Sequence, residues 1–298
     1  MIGGGLSAWA HALPNGTRGA MWALAAAVAF GTMEVMVKLI GATLHPFQIA
    51  FFRSLVALLT LMPLFMAYGR ALFNTRRLGG HFLRAILGYS SMIFGFFALV
   101  HLPLAEAVAL GYVRGLFLVP LAVMLLGESI NWRRWVAMGC GFAGVLVMLR
   151  PGAGVFDAAA IYPLLAGFFV AFVSVFMKRL AETERPQVII FWFAAFTTLL
   201  AAGPAIAVWR WPAPALWPAV LALGVLGSLG QYCIVRAFRI ADATAVDSVD
   251  YTRLIYSAGI GMIVFGEALT LPTIAGALII AGSTLYIARQ GARKSPVS

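Results

Sequence analysis

Residues 104–128, LAEAVALGYVRGLFLVPLAVMLLGE, and residues 243–267, ATAVDSVDYTRLIYSAGIGMIVFGE, read as two versions of one segment. An offset of 139 lays Tyr112-Val113-Arg114 on Tyr251-Thr252-Arg253 and Gly127-Glu128 on Gly266-Glu267. The same offset lays Arg150 on Arg289, and an offset of 140 puts Lys38 on Lys178 and Pro46 on Pro186. Each copy carries an arginine near the middle of an apolar run, where an unpaired charge is costly and usually functional. Internal repetition with charges at the repeat interface is a recurring architecture of secondary carriers.

The rest of the chain agrees with a membrane setting. It is 62% hydrophobic and 10% charged, against about 25% charged in soluble domains. Ten apolar segments follow one another at roughly 19–39, 46–67, 82–100, 105–126, 133–150, 158–178, 187–208, 216–238, 243–265 and 271–288. Most are long enough to cross the hydrocarbon as helices. They do not alternate in polarity, which excludes barrel strands. Breakers mark the connections: His45-Pro46, Leu102-Pro103, Arg150-Pro151-Gly152, Trp211-Pro212-Ala213-Pro214 and Leu271-Pro272.

The basic residues set the orientation. One set of alternate loops holds fifteen of them, Arg84 included, and the other holds only Lys38, Arg150 and Arg210. The richer set faces the cytoplasm, so both termini are expected there and the chain reads as a multi-pass protein of a bacterial inner membrane. Five segments per half is an odd number. The second half, 158–288, is therefore expected to be inverted with respect to the first, 19–150. Arg114 then enters its span from one face by ~13 Å and Arg253 enters its own from the opposite face by ~15 Å, at 1.5 Å rise per residue. Both are expected near the midplane, side by side.

Six ionisable residues are expected to lie inside the hydrocarbon: Glu34, Arg53, Arg114, Asp247, Asp250 and Arg253. Asp247, Asp250 and Arg253 are three apart and share a helix face. Arg114 and Arg253 are expected to receive a carboxylate or phosphate of a substrate through charge-assisted bonds. Tyr112 and Tyr251 are expected to line the wall beside them, and Asp250 to orient Arg253. Glu34 is the candidate for coupling transport to a proton, with Asp250 its rival and Arg53 as an anchor for Glu34. Asp247 is assigned to the same set of cavity charges. Gly111 and Gly115 form a small-x-x-x-small step for a neighbouring helix, and Pro120 is expected to kink the fourth span. The two Gly-Glu pairs read as helix ends with interfacial carboxylates.

No phosphate loop, His-Glu-x-x-His or Gly-x-Ser-x-Gly occurs, so no catalytic residues are assigned. Four scattered histidines and two distant cysteines, Cys140 and Cys233, suggest neither a metal site nor a cofactor. The net charge of +11 is spread singly and in pairs between apolar runs, which argues against a nucleic-acid partner.

Several signatures carry a resemblance over essentially the whole chain. They are Glu34-x-x-x-Lys38, Pro46 with Phe51-Phe52-Arg53, the paired Gly-Glu closures, Trp132-Arg133-Arg134-Trp135 running to Arg150-Pro151, and Asp250-Tyr251-Thr252-Arg253-Leu254. In these the chain resembles the drug/metabolite transporter superfamily, specifically its EamA-type members with two five-span repeats. The stretch His45-Pro46-Phe47-Gln48-Ile49-Ala50-Phe51-Phe52-Arg53 is similar to bacterial S-adenosylmethionine uptake carriers, in which an acidic residue is expected near the place of Arg253. The resemblance implies an alternating-access carrier for a small polar metabolite. The balance of cavity charges points to an amino-acid-like, zwitterionic or anionic substrate, moved with a proton or a counter-substrate. Uptake of a cationic nucleoside-type metabolite, or flipping of a lipid-linked one with membrane lipid as partner, are the alternatives. The first four spans and spans six to nine are expected to form two rocking bundles, with spans five and ten to one side.

Overall fold

A computed structural model describes residues 15–62, 69–126, 132–149, 157–181, 183–240, 249–250 and 252–292. Among these residues all regular structure is helical: α1 (Asn15–Gly41), α2 (Pro46–Thr60), α3 (Leu78–His101), α4 (Leu104–Gly111), α5 (Arg114–Leu126), α6 (Trp132–Leu149), α7 (Ile161–Ala181), α8 (Pro186–Ala207), α9 (Trp217–Ile240), α10 (Thr252–Phe265) and α11 (Leu271–Ala292). Six apolar stretches are long enough to cross a membrane: Thr17–Gly41, Leu78–His101, Leu104–Leu125, Ala158–Met177, Gln187–Ala207 and Pro214–Ile234. Four shorter apolar helices, Pro46–Thr60, Trp135–Leu149, Thr252–Phe265 and Leu271–Tyr286, occupy the remaining predicted segments.

Local chemistry fixes the ends. His45 caps α2 by accepting a bond from the Phe47 amide at 3.3 Å, and Pro46 stands at the first helical position, where its missing N–H is harmless. Gly266, with φ +64°, turns the chain out of α10 in a conformation that glycine adopts without strain.

The fourth segment is interrupted, but not at Pro120, which lies inside α5. The interruption is at Tyr112-Val113, where the amides of both residues bond three residues back, to the carbonyls of Ala109 and Leu110, in place of the α-helical four. Arg114 opens the second piece. Its guanidinium therefore leaves from a tightened turn beside the cavity.

Helix packing is dominated by contacts between the two halves. In the first bundle α1 and α2 lie against α9, and α1 also meets α10. In the second, α3, α4 and α5 lie against α7, and α3 also meets α8, which packs against α2 of the first bundle as well and so joins the two. Each bundle thus takes two predicted spans from each half, which corrects the expectation of one bundle per half. Close approach explains the exchange. A methyl group at Gly230 of α9 would strike the Phe30 ring of α1, and one at Gly224 would strike Val56 of α2. In the other bundle a methyl group at Gly167 of α7 would meet Val113 and the Arg114 backbone. Backbones approach where side chains are missing, because lipid tails offer no hydrophobic drive between apolar helices. The pairing scheme maps onto itself when every span is replaced by the one five later: first–eighth becomes sixth–third, and second–eighth becomes seventh–third. The spans containing α6 and α11 pack on each other to one side, as expected, at a Gly144–Gly276 crossing.

Candidate functional site

The charged residues singled out in the sequence converge. Arg114 donates from Nη2 to Asp250 Oδ2 at 2.9 Å. Arg253 lies 3.8 Å from the same oxygen and 3.6 Å from Glu34 Oε1. Ser257 donates to the other Glu34 oxygen at 3.5 Å. The two arginines thus share one carboxylate, and they also share a ring: their guanidinium carbons stand 5.4 and 5.6 Å from the centre of Tyr112. Such contacts gain strength when desolvated. Tyr112 is 2% exposed and donates its hydroxyl to the Asp250 backbone carbonyl at 2.7 Å. It therefore braces the cluster from behind and does not form an open wall. Asp247 and Tyr251 lie outside the described residues.

The cluster borders a cavity of about 450 Å³, within the ordinary size of small-molecule sites. Glu34, Arg53, Arg114 and Arg253 line it, with Gly111 leaving thin backbone beside Arg114. Phe30, Phe96, Phe193 and Met92 supply apolar wall. Gly115, the second half of the small-residue step, faces Thr284 of α11 and serves packing.

Two residues depart from the sequence reading. Arg53 does not anchor Glu34. It is 8% exposed, its Nε has no partner, and the partners of Glu34 are Arg253 and Ser257. Arg84 was counted among the loop residues, yet it lies in α3, is 5% exposed and lines the cavity. Its guanidinium sits 4.3 Å from the centre of the Phe193 ring. The signal for it was available: Arg84 is separated from Arg76 and Arg77 by apolar and glycine residues, so it belongs to the span that follows.

A second polar contact joins the two bundles away from this cluster. Glu267 Oε1 meets Lys38 Nζ at 2.7 Å, and its Oε2 accepts from the Leu104 amide at 2.7 Å. Lys38 in turn donates to the Leu102 carbonyl at 2.5 Å. Lys38 and Glu267 end α1 and follow α10, whereas Leu102 and Leu104 join α3 to α4. The link therefore ties the first bundle to the second. Glu267 thus follows the end of α10, where the Gly-Glu reading puts a helix end, and in addition bridges the two bundles. The repeat-related Gly127-Glu128 lies outside the described residues.

Two stretches, residues 17–150 and 157–289, match the model of the EamA-like transporter family. The chain belongs to that family. This EamA-like chain is a multi-pass membrane transporter of the drug/metabolite superfamily, and not an enzyme. It is 32% identical to the S-adenosylmethionine uptake transporter of Rickettsia prowazekii, over 93% of its own length and 94% of the relative's. It is 28% identical to a riboflavin transporter of Vibrio cholerae over 93% and 95%. It is 29% identical to a pseudopaline exporter of Pseudomonas aeruginosa over 91% and 96%. A solved crystal structure shares the fold with a TM-score of 0.65 at 21% identity, over 93% of this chain and 98% of the other.

Proposed function

We propose that this chain is an inner-membrane secondary carrier for a small metabolite with an amino-acid head group, working by alternating access. Ten spans in two inverted five-span repeats, 19–150 and 158–288 with both termini cytoplasmic, form its frame. The observation that carries the substrate reading is one cavity holding a carboxylate, Glu34, together with several guanidiniums. A zwitterion satisfies both signs at once, whereas a plain cation or plain anion satisfies one. S-adenosylmethionine has such a head group, and the relatives at 31–32% identity are named for its uptake. The Phe30, Phe96 and Phe193 rings suit a flat nucleobase.

In this reading Glu34 takes the substrate ammonium, and Asp250, Arg114, Arg253 and Tyr112 form the polar framework around it. Asp247 and Tyr251 belong to the same cluster. Glu34 is held at 3.6 Å whereas Asp250 is held at 2.9 Å. The looser carboxylate is the one freer to exchange a proton or to meet a counter-substrate. Motion consists of one interleaved bundle rocking against the other, with the Lys38–Glu267 link closing one end.

The test is uptake of labelled S-adenosylmethionine, methionine and riboflavin into proteoliposomes, with and without a preloaded counter-substrate. Saturable uptake of S-adenosylmethionine that Glu34→Ala abolishes supports the reading. Transport of riboflavin alone, or no competition by any amino acid, refutes it.

A further inference from the structure

The cluster at the cavity centre is largely self-neutralised, and the unused charge lies elsewhere. Arg114 and Arg253 are both within ion-pair distance of Asp250, and Arg253 also of Glu34. Arg53 and Arg84 border the same cavity, and among the described residues neither has a carboxylate within 4.0 Å. The Nε of Arg53 and the Nε and Nη1 of Arg84 have no hydrogen-bond partner. Both side chains are more than nine-tenths buried.

A guanidinium stays charged at any ordinary pH and carries five donors. Burying it without an anion is expensive unless something brings one. The Phe193 face offsets part of that expense for Arg84. A ring satisfies no N–H in the guanidinium plane, so the buried Nε and Nη1 of Arg84 lack an acceptor, and a carboxylate or phosphate that supplied one would have to displace the side chains now covering them.

We propose that the anionic group of the transported metabolite is held by Arg53 and Arg84, with Arg114 and Arg253 serving as the fixed framework of the cavity. This rests on the carrier reading above and assigns the acidic end of its substrate. Arg53 is on α2, which packs with α1 and α9, and Arg84 is on α3, which packs with α7. Each bundle therefore offers one unpaired cation to the substrate. The anion accordingly has a partner on either side of the rocking plane, and it is drawn to whichever cation the cavity presents.

The test compares ligands that differ only in the carboxylate. Binding of S-adenosylmethionine and of its decarboxylated form is measured on the detergent-purified full chain, for the parent, Arg53→Gln, Arg84→Gln, Arg84→Lys and Arg114→Gln. The expected preference for the carboxylated ligand is about tenfold or more in the parent. It falls to near equality in Arg53→Gln or Arg84→Gln and recovers in part in Arg84→Lys, which restores charge without the fork. Arg114→Gln weakens both ligands alike. A merely structural arginine would weaken both ligands together and leave the ratio untouched, so a ratio preserved in both Arg53→Gln and Arg84→Gln overturns the proposal.

If neither ligand binds the parent, the S-adenosylmethionine reading fails by itself, and the arginines are read with succinate and neutral succinamide. Thermal stabilisation by succinate alone, lost in Arg53→Gln and Arg84→Gln, sustains the anion site. Stabilisation shared by succinamide, or kept in both variants, overturns it. Inorganic phosphate competing with neither ligand pair supports a substrate carboxylate. Phosphate binding at Arg84 without any ligand preference shows a site for free anions and overturns the assignment.

Discussion

Replacing Glu267 by glutamine probes the link between the bundles with little change of shape. The amide keeps an oxygen for the Leu104 N–H, now met by the carboxylate at 2.7 Å, but it removes the charge that faces Lys38 at 2.7 Å. Both side chains are 14% exposed, so solvent does not restore what is lost. A hydrogen bond to a charged group is worth about 1.5–3 kcal/mol. If the link exists only when this end is closed, its loss shifts the equilibrium toward opening by roughly 10- to 100-fold. Met92 lines the cavity, and Met92→Cys in a background without Cys140 and Cys233 reports access. The labelling rate by a membrane-impermeant maleimide, added to intact cells, is expected to rise by a factor in that range. A rate unchanged in a well-folded Glu267→Gln protein would refute the closure and leave the contact as a static staple. The charge swap Lys38→Glu with Glu267→Lys is not expected to rescue. It would set a carboxylate against the Leu102 carbonyl and an ammonium against the Leu104 amide, and those backbone groups cannot exchange roles.

Asp250→Asn breaks the contact shared by Arg114 and Arg253, and breaking a buried pair costs about 3–5 kcal/mol; a large fall in melting temperature is expected, with transport lost. Tyr112→Phe removes the bond to the Asp250 carbonyl but keeps the ring beneath both guanidiniums. The loss in denaturation should be about 1 kcal/mol, and Tyr112→Ala should lose clearly more. Glu34→Gln is expected to flatten the pH dependence of uptake in proteoliposomes while leaving counterflow exchange measurable; unchanged pH dependence would remove Glu34 from coupling. His45, at the cap of α2, has its pKa lowered by burial and then by the nearby His101. The unfolded chain therefore binds the extra proton more readily, and the contribution of His45 is lost as pH falls below about 6.5. Melting curves between pH 5 and 8 should be flatter for His45→Gln.

The elements were legible because apolar runs and breakers mark them directly. Pro46, Pro186 and Leu271-Pro272 stand where α2, α8 and α11 begin. The approach of Arg114 and Arg253 to one carboxylate goes with the repeat, in which an offset of 139 gives them matching positions in the two halves. What failed was anything needing knowledge of a neighbour. Arg53 was matched to Glu34 by charge alone, but Gly227 of α9 lies against Arg53 while Arg253 takes Glu34. A break in the fourth segment that no proline or glycine pair announces falls at Tyr112-Val113. There Gly167 brings the α7 backbone close, and Tyr112 turns toward Asp250. Arg84 was assigned by proximity to Arg76 and Arg77, although a loop ends where glycines and apolar residues resume.

The interleaved bundles connect these corrections to function. If each half formed its own bundle, the two repeats would slide on a single seam and every cavity charge would keep its own side. With halves exchanged, α1 packs on α9 and α3 on α7, so each pair moves as one in the proposed rocking. A change at one end of the molecule is then matched by the opposite change at the other. The Lys38–Glu267 link lies where the bundles meet, and the sequence places a related lysine and glutamate, Lys178 and Glu128, in the other repeat. If the bundles rock as proposed, breaking the Lys38–Glu267 link is what opens its end of the cavity. The proposed carrier cycle has two states, one with the Lys38–Glu267 link closed and one with it broken. Differential contacts made by the substrate are then enough to choose between them. Arg53 and Arg84, with no carboxylate within 4.0 Å among the described residues, are the groups proposed to supply that choice.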